Sequence, residues 1–350
     1  FAELSAAISS ASDGDSIYLD GAFSISSEII LDSNKSLFFY GSDSACIQFS
    51  SYSDTNGSLL VFNGTDNTKE FKFDNIIFKN AGGFGLHLKK TKKVEVNDCE
   101  FKNNGWNGTS LNTVVSEAIT TILGYDSSQA DLQSFYSSSN ASDGGAIKIE
   151  ESTQLLITGN TINNNLRGIR LQDCGINGAG FITRNQISEN IDSGIYLGIG
   201  SLDGCQNITA INNFIAYNSN NGILVVGGIN IKLSQNEING NWNGGVCNFG
   251  SANLTLRDCG LYNNNRSTFN GIGLSGDAKA SIHIGDSSNY YATNFVINEK
   301  RRFLMEVLDT QVHNTGLGSN DDKVGIFLDS SLGNIPLNNN NIIKTNCKAN

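Results

Sequence analysis

Apolar side chains fall at helical spacing only at the start of the chain, at Phe1, Leu4, Ala7 and Ile8, before the turn Asp13-Gly14-Asp15. From Ile17 onward the helical period disappears. Short runs of alternating apolar and polar residues replace it, among them Ile17-Tyr18-Leu19, Phe23-Ser24-Ile25 and Phe71-Lys72-Phe73, each the length of a short strand. The pattern predicts an N-terminal capping helix within residues 1–16 and a single β domain over 17–350.

A unit repeats inside that domain: Asn or Cys, an apolar residue two positions on, Asn three further, and then Gly-apolar-x-apolar. Its first position is Asn75, Cys99, Asn160, Asn185, Asn213, Asn236 and Cys259. Five residues on stand Asn80, Asn104, Asn165, Asn190, Asn218, Asn241 and Asn264. The closing strand begins at Gly85, Gly168, Gly194, Gly222, Gly245 and Gly271, with Ala146 in the remaining copy. Copies from Asn160 to Cys259 lie 23 to 28 residues apart, which suits one coil of three short strands. Equivalent residues then stack about 4.8 Å apart in rows. Asn75, Asn160, Asn185, Asn213 and Asn236 are read as one such row, a ladder passing amide hydrogen bonds between coils. The repeat is interrupted over 105–144 and blurs over 276–323, two irregular excursions.

This unit is similar to the repeat of the right-handed parallel β-helix, or pectin-lyase-like, superfamily. Phe1-Ala2-Glu3-Leu4-Ser5-Ala6-Ala7-Ile8 leading into Gly14-Asp15-Ser16-Ile17-Tyr18-Leu19 resembles its opening cap and first strand. The resemblance implies an all-β fold, a single-stranded right-handed parallel β-helix. It says little about activity, because the same solenoid serves lyases, epimerases, glycosidases, viral tailspikes and surface proteins.

A net charge of −11 and the absence of a long apolar run argue against nucleic acid as a partner and against membrane insertion. One Pro in 350 residues argues against a proline-rich linker. Seven Cys leave at least one unpaired within the chain. Cys99 and Cys259 share a row several turns apart and cannot bridge, whereas Cys174 and Cys205 follow strands in neighbouring turns and are expected to pair if the chain is secreted. Eight sequons, at Asn34, Asn56, Asn63, Asn107, Asn140, Asn207, Asn253 and Asn265, are candidate glycosylation sites, although so Asn-rich a chain yields that number by chance.

In the Gly-apolar-x-apolar strand the x position points outward, and that row reads His87, Lys148, Arg170, Tyr196, Leu224, Cys247, Gly273. Its first four members would form a strip able to bind an acidic sugar, with Arg170 neutralising a carboxylate and Lys148 or Tyr196 moving a proton in β-elimination. The pair Lys148 and Arg170 resembles the Lys and Arg of alginate- and chondroitin-type β-helix lyases. No metal cluster and no cofactor motif is evident. Short Asn and Gly turns, scarce charge and few aromatics on the outward row favour a structural protein, secreted or on a virion surface. Such a chain would be a subunit of an appendage, filament or fibre, partnered by its own copies and by glycans. The alternative is a carbohydrate-active enzyme, a polysaccharide lyase using His87, Lys148, Arg170 and Tyr196.

Overall fold

The computed structural model describes residues 2–50, 57–105, 144–198, 200, 204–241, 244–249, 252–257 and 259–262, together with strands at 280–284, 305–308, 311–313, 324–328, 342–345 and 348–349. A helix at Ala2–Ser10 opens the chain, and its buried Leu4 and Ile8 cover the end of the core. The rest is a coil of short strands. Every third strand pairs in parallel with its equivalent one turn away, giving sheets of eleven, eleven and ten strands among the described residues. One turn runs from Lys93–Asn97 in the first sheet through Glu100–Lys102 in the second to Gly145–Glu150 in the third.

Alternation within each strand puts one face inward. In Glu70–Asp74 and Lys93–Asn97 the inward Phe71, Phe73, Val94 and Val96 are at most 1% exposed. Near the N-terminal end the core is aromatic: Phe39 stacks on Phe73 with centroids 5.1 Å apart, and Phe78 on Phe101 at 4.9 Å. Further along, the second-sheet position held by Phe78 and Phe101 passes to Ile162, Ile187, Ile215 and Ile238.

From Asn75 onward the first two bends of each described turn follow one rule, a left-handed residue followed by a buried side chain. At the first bend the left-handed residues are Asn75, Asp98, Gly159, Arg184, Asn212 and Gln235. The residues after them, Ile76, Cys99, Asn160, Asn185, Asn213 and Asn236, are buried, as is Cys259 next to Asn236 in the same row. The Nδ2 of Asn160 donates to Oδ1 of Asn185, that of Asn185 to Asn213 and that of Asn213 to Asn236, each at 2.9 Å. Carbonyls of Val96, Ile157, Ile182 and Ala210 accept from the same amides. Asn104, Asn165, Asn190, Asn218 and Asn241 build a second ladder at the next bend.

The first copy departs from the expected register. Strand pairing sets Phe78 against Phe101, so the ladder position belongs to Ile76 and the second to Ala81. Asn75 is exposed and left-handed, with φ 55°, and Asn80 is left-handed with φ 67°. Asparagine there serves the turn, because its short polar side chain tolerates that conformation, and not the ladder. At the other end, Gly271 and Gly273 lie outside the described residues. The third-sheet strand after Gly244–Phe249 is Ala280–Ile284, which pairs Cys247 with His283. Strands Ala280–Ile284, Met305–Leu308 and Gln311–His313 continue all three sheets through the segment expected to be irregular. Residues 106–143 of the other excursion lie outside the described residues.

A third row of small side chains lines the bend after the third sheet. Lys90, Glu151 and Asp173 are its left-handed residues, and Thr91, Ser152 and Cys174 follow them, each at most 1% exposed. Cys205 continues the row, its neighbour Gln206 donating a backbone hydrogen bond to Cys174 at 2.8 Å. Cys174 and Cys205 are both buried and in the reduced state in this structure.

Candidate active site on the third sheet

Strands Phe84–Lys89, Gly145–Glu150, Ile169–Gln172 and Ile195–Gly198 lie side by side in the third sheet. Their register pairs His87 with Lys148, Lys148 with Arg170, and Arg170 with Tyr196. The flanking residues, from Leu86 and Leu88 to Ile195 and Leu197, are buried in the core, and that anchorage turns the strip outward. The structure therefore brings His87, Lys148, Arg170 and Tyr196 together on four consecutive turns. Leu224, paired with Tyr196 and 2% exposed, bounds the strip with an apolar residue.

Glu150 organises one end. Its Oε1 lies 2.9 Å from Nε2 of His87 and 2.7 Å from Nζ of Lys148. The hydrogen bond with His87, and after it the Lys148 ammonium, outweigh burial and hold the Glu150 carboxyl down at about 2. A carboxylate ionised above pH 2 accepts and cannot donate. Nε2 of His87 therefore carries the proton in this pair, and in the neutral ring Nδ1 keeps the lone pair. At the other end the Arg170 guanidinium lies 5.3 Å from the centroid of the Tyr196 ring. Burial pushes the Tyr196 phenol up to about 12, against the opposing pull of Arg170, so it keeps its proton through neutral pH. The Tyr196 ring covers Gly198, where a Cβ would overlap it.

Two further features were not legible as parts of a site. Arg167 Nε donates to Asp192 Oδ2 at 3.0 Å, and Asn220 Nδ2 donates to Asp192 Oδ1 at 2.8 Å, forming a buried polar buttress at the start of the strands that carry Arg170 and Tyr196. Beyond the end of the third sheet, a pocket of about 380 Å³ is lined by Thr65, Lys90, Glu151, Thr153, Ile176 and Asn177 among others. Both join residues scattered over several turns, and only the backbone path assembles them. Among the described residues no three His, Cys, Asp or Glu side chains converge to hold a metal ion, and no helix is long and apolar enough to cross a membrane.

Of the sequon residues, Asn34 and Asn63 are exposed. Asn207 is half-buried and accepts from Asn230 Nδ2 at 2.7 Å. Asn56, Asn107, Asn140 and Asn265 lie outside the described residues, as does the side chain of Asn253.

A family model described as right handed beta helix region matches residues 14–169. The chain is similar in structure to the A-module of the Azotobacter vinelandii mannuronan C-5 epimerase AlgE4, with 13% identity, 95% of this chain and 87% of that chain covered, and a TM-score of 0.54. The AlgE6 A-module of the same organism gives 12% identity, 98% and 86% coverage and a TM-score of 0.52. DFA-IIIase from Arthrobacter chlorophenolicus A6, in complex with GF2, gives 13%, 99% and 88%, and 0.52. No curated protein matches by sequence. With in-phase bends, three parallel sheets and these structural neighbours, the chain is a right-handed parallel β-helix and has the fold of the pectin-lyase-like superfamily.

Proposed function

We propose that the chain is a carbohydrate-active β-helix enzyme, a polysaccharide lyase that cleaves an acidic glycan by β-elimination on the outer face of the third sheet. The observation that carries this reading is the register His87, Lys148, Arg170, Tyr196, with one ionised carboxylate, Glu150, fixing the first two. Removing the proton next to a uronate carboxylate is costly because charge builds on the carboxylate oxygens. Arg170 and Lys148, one turn apart, form a cationic cradle for that charge. Lys148 is ion-paired to Glu150 and Tyr196 holds its proton to about 12, so His87 is the better proton carrier than either residue first considered for that task.

In the proposed step Nδ1 of His87 takes the proton from the carbon bearing the carboxylate. The electron pair forms the new carbon–carbon double bond, and the bond to the glycosidic oxygen breaks. The imidazolium returns the proton to that oxygen. Tyr196 donates a hydrogen bond to a neighbouring sugar. Two of the structural neighbours are epimerases of mannuronan, which supports a glycan as partner. Purified protein given a panel of uronate polymers is expected to release unsaturated sugars absorbing in the ultraviolet. His87→Ala and Arg170→Ala should each lower the rate by about 10²–10⁴-fold while the β-sheet circular dichroism is kept. No absorbance from any uronate polymer would end this reading, and full activity in His87→Ala would remove the histidine from its role.

The structural-subunit reading rests on composition: short Asn and Gly turns, scarce charge and few aromatics on the outward row. It requires ordered assemblies of copies of the chain in electron micrographs.

A further inference from the structure

Thr91, Ser152, Cys174 and Cys205 occupy successive turns of one buried row at the bend after the third sheet. The first two bond directly, Thr91 Oγ1 donating to Ser152 Oγ at 2.7 Å. The row then continues as two thiols in contact. Burial first, and then the neighbouring Cys205, raises the Cys174 thiol well above its ordinary range. The backbone bond from Gln206 to Cys174, 2.8 Å long, sets the two bends side by side at the spacing of one turn. That spacing is about 4.8 Å, inside the roughly 4.4–6.8 Å between Cα atoms that a disulfide spans. Both side chains are 0% exposed. Cys99 and Cys259 are separated by four asparagines in their own row.

We propose that Cys174 and Cys205 form a disulfide that joins two consecutive turns beside the candidate site, and that it closes while the chain folds and not afterwards. The chemistry requires a thiolate that can reach an oxidant. In the folded chain neither sulfur reaches solvent, and burial disfavours the Cys174 thiolate. In the unfolded chain both are accessible. One thiolate attacks a small disulfide such as oxidised glutathione and releases one reduced thiol. The other thiolate then attacks the mixed disulfide and releases the second. Two protein thiols and one small disulfide thus become one protein disulfide and two small thiols. After folding, the same burial shields the bond from reductants.

The closed ring contains the strand Ile195–Gly198, which carries Tyr196. It also contains Gly200 and Gly204, whose N–H groups donate to the buried Asp173 at 3.0 and 2.8 Å. The crosslink thus secures the turn at the Tyr196 end of the strip. This assignment does not depend on the lyase reading, because its test counts thiols and not products.

Unfolded, fully reduced chain is refolded in two buffers, one with oxidised and reduced glutathione and one with reductant alone. After oxidative refolding, denatured protein should show two fewer alkylatable thiols than the seven of the reduced chain. Trypsin should release Leu171–Arg184 linked to Asn185–Lys232, two hydrogens lighter than the separate peptides. The oxidised form should melt several degrees higher, because a ring of about thirty residues restricts the unfolded chain. That increment should vanish in Cys174→Ser, a substitution the row already accommodates at Ser152. Chain folded under reductant, then moved to oxidised glutathione without unfolding, should keep both thiols for hours. Free Cys174 and Cys205 after oxidative refolding, or either one linked to a different cysteine, would overturn the pairing. Rapid oxidation of the folded chain would overturn the order of events.

Discussion

Asparagine does two different jobs in this chain, and one side chain shows each. Asn213 is 2% exposed, donates to Asn236 and to the carbonyls of Ile182 and Ile211, and accepts the N–H of Asn185. Removing its amide leaves several buried groups without partners. Asn213→Ala should therefore lower unfolding free energy by about 1–3 kcal/mol in urea titration. Asn75 is exposed and holds a left-handed φ of 55°. Asn75→Gly, which preserves that conformation, should stay within about 0.5 kcal/mol of the parent. Equal losses at the two positions would contradict the division. The spacing of Asn, apolar residue and Asn made the ladders legible from Cys99 to Cys259. It misplaced the first copy by one residue, because the left-handed and ladder positions are adjacent and asparagine suits both. Only strand register separates them: Phe78 faces Phe101, and Ile76 takes the row.

At the scale of the strand, a close approach selects glycine at the start of the third sheet's strands. A Cβ on Gly168 would overlap the carbonyl of Gly194, and one on Gly194 would meet the Gly222 carbonyl and the Asn218 amide at 2.9 Å. The glycine row and the second asparagine ladder therefore pack against each other, which explains why they recur in phase. Gly194→Ala should cost about 1–3 kcal/mol by forcing the Asn218 amide or the neighbouring turn aside. Thermal melting measures that loss, and an unchanged midpoint would show that the turns separate easily. The outward strip was legible at this scale, since alternation alone fixes which face His87, Lys148, Arg170 and Tyr196 share. The bond between His87 and Glu150 was not, because Glu150 pairs in register with Lys89 and reaches His87 on the diagonal. Cys174 and Cys205 were legible as neighbours, but their row with Thr91 and Ser152 was hidden for another reason. Any small buried side chain fills it, so no repeated letter marks it.

For the whole molecule, a cationic strip lies on a chain of net charge −11. A polyanionic glycan approaching it experiences two opposed electrostatic effects with different ranges. Repulsion from the molecule as a whole acts over tens of ångströms and is felt at about 0.01 M salt, where the screening length is roughly 30 Å. Attraction to Lys148 and Arg170 acts at contact, across turns spaced about 4.8 Å. Adding salt first removes the long-range repulsion and only later weakens the contacts, once the screening length falls below roughly 10 Å near 0.1 M. Affinity for a uronate polymer should thus pass through a maximum between about 0.01 and 0.1 M salt. A protein with a uniformly basic surface would instead lose affinity steadily as salt is added. Reversing one strip charge with Arg170→Glu should remove the maximum, because the remaining interaction is mainly repulsive and improves throughout the salt series. KM measured across the series, or the dissociation constant from calorimetry with an uncleaved polymer, would show the curve. A steady fall in affinity from the lowest salt upward would mean that the local cations dominate at every distance, and that the net charge of the solenoid does not govern how the glycan arrives.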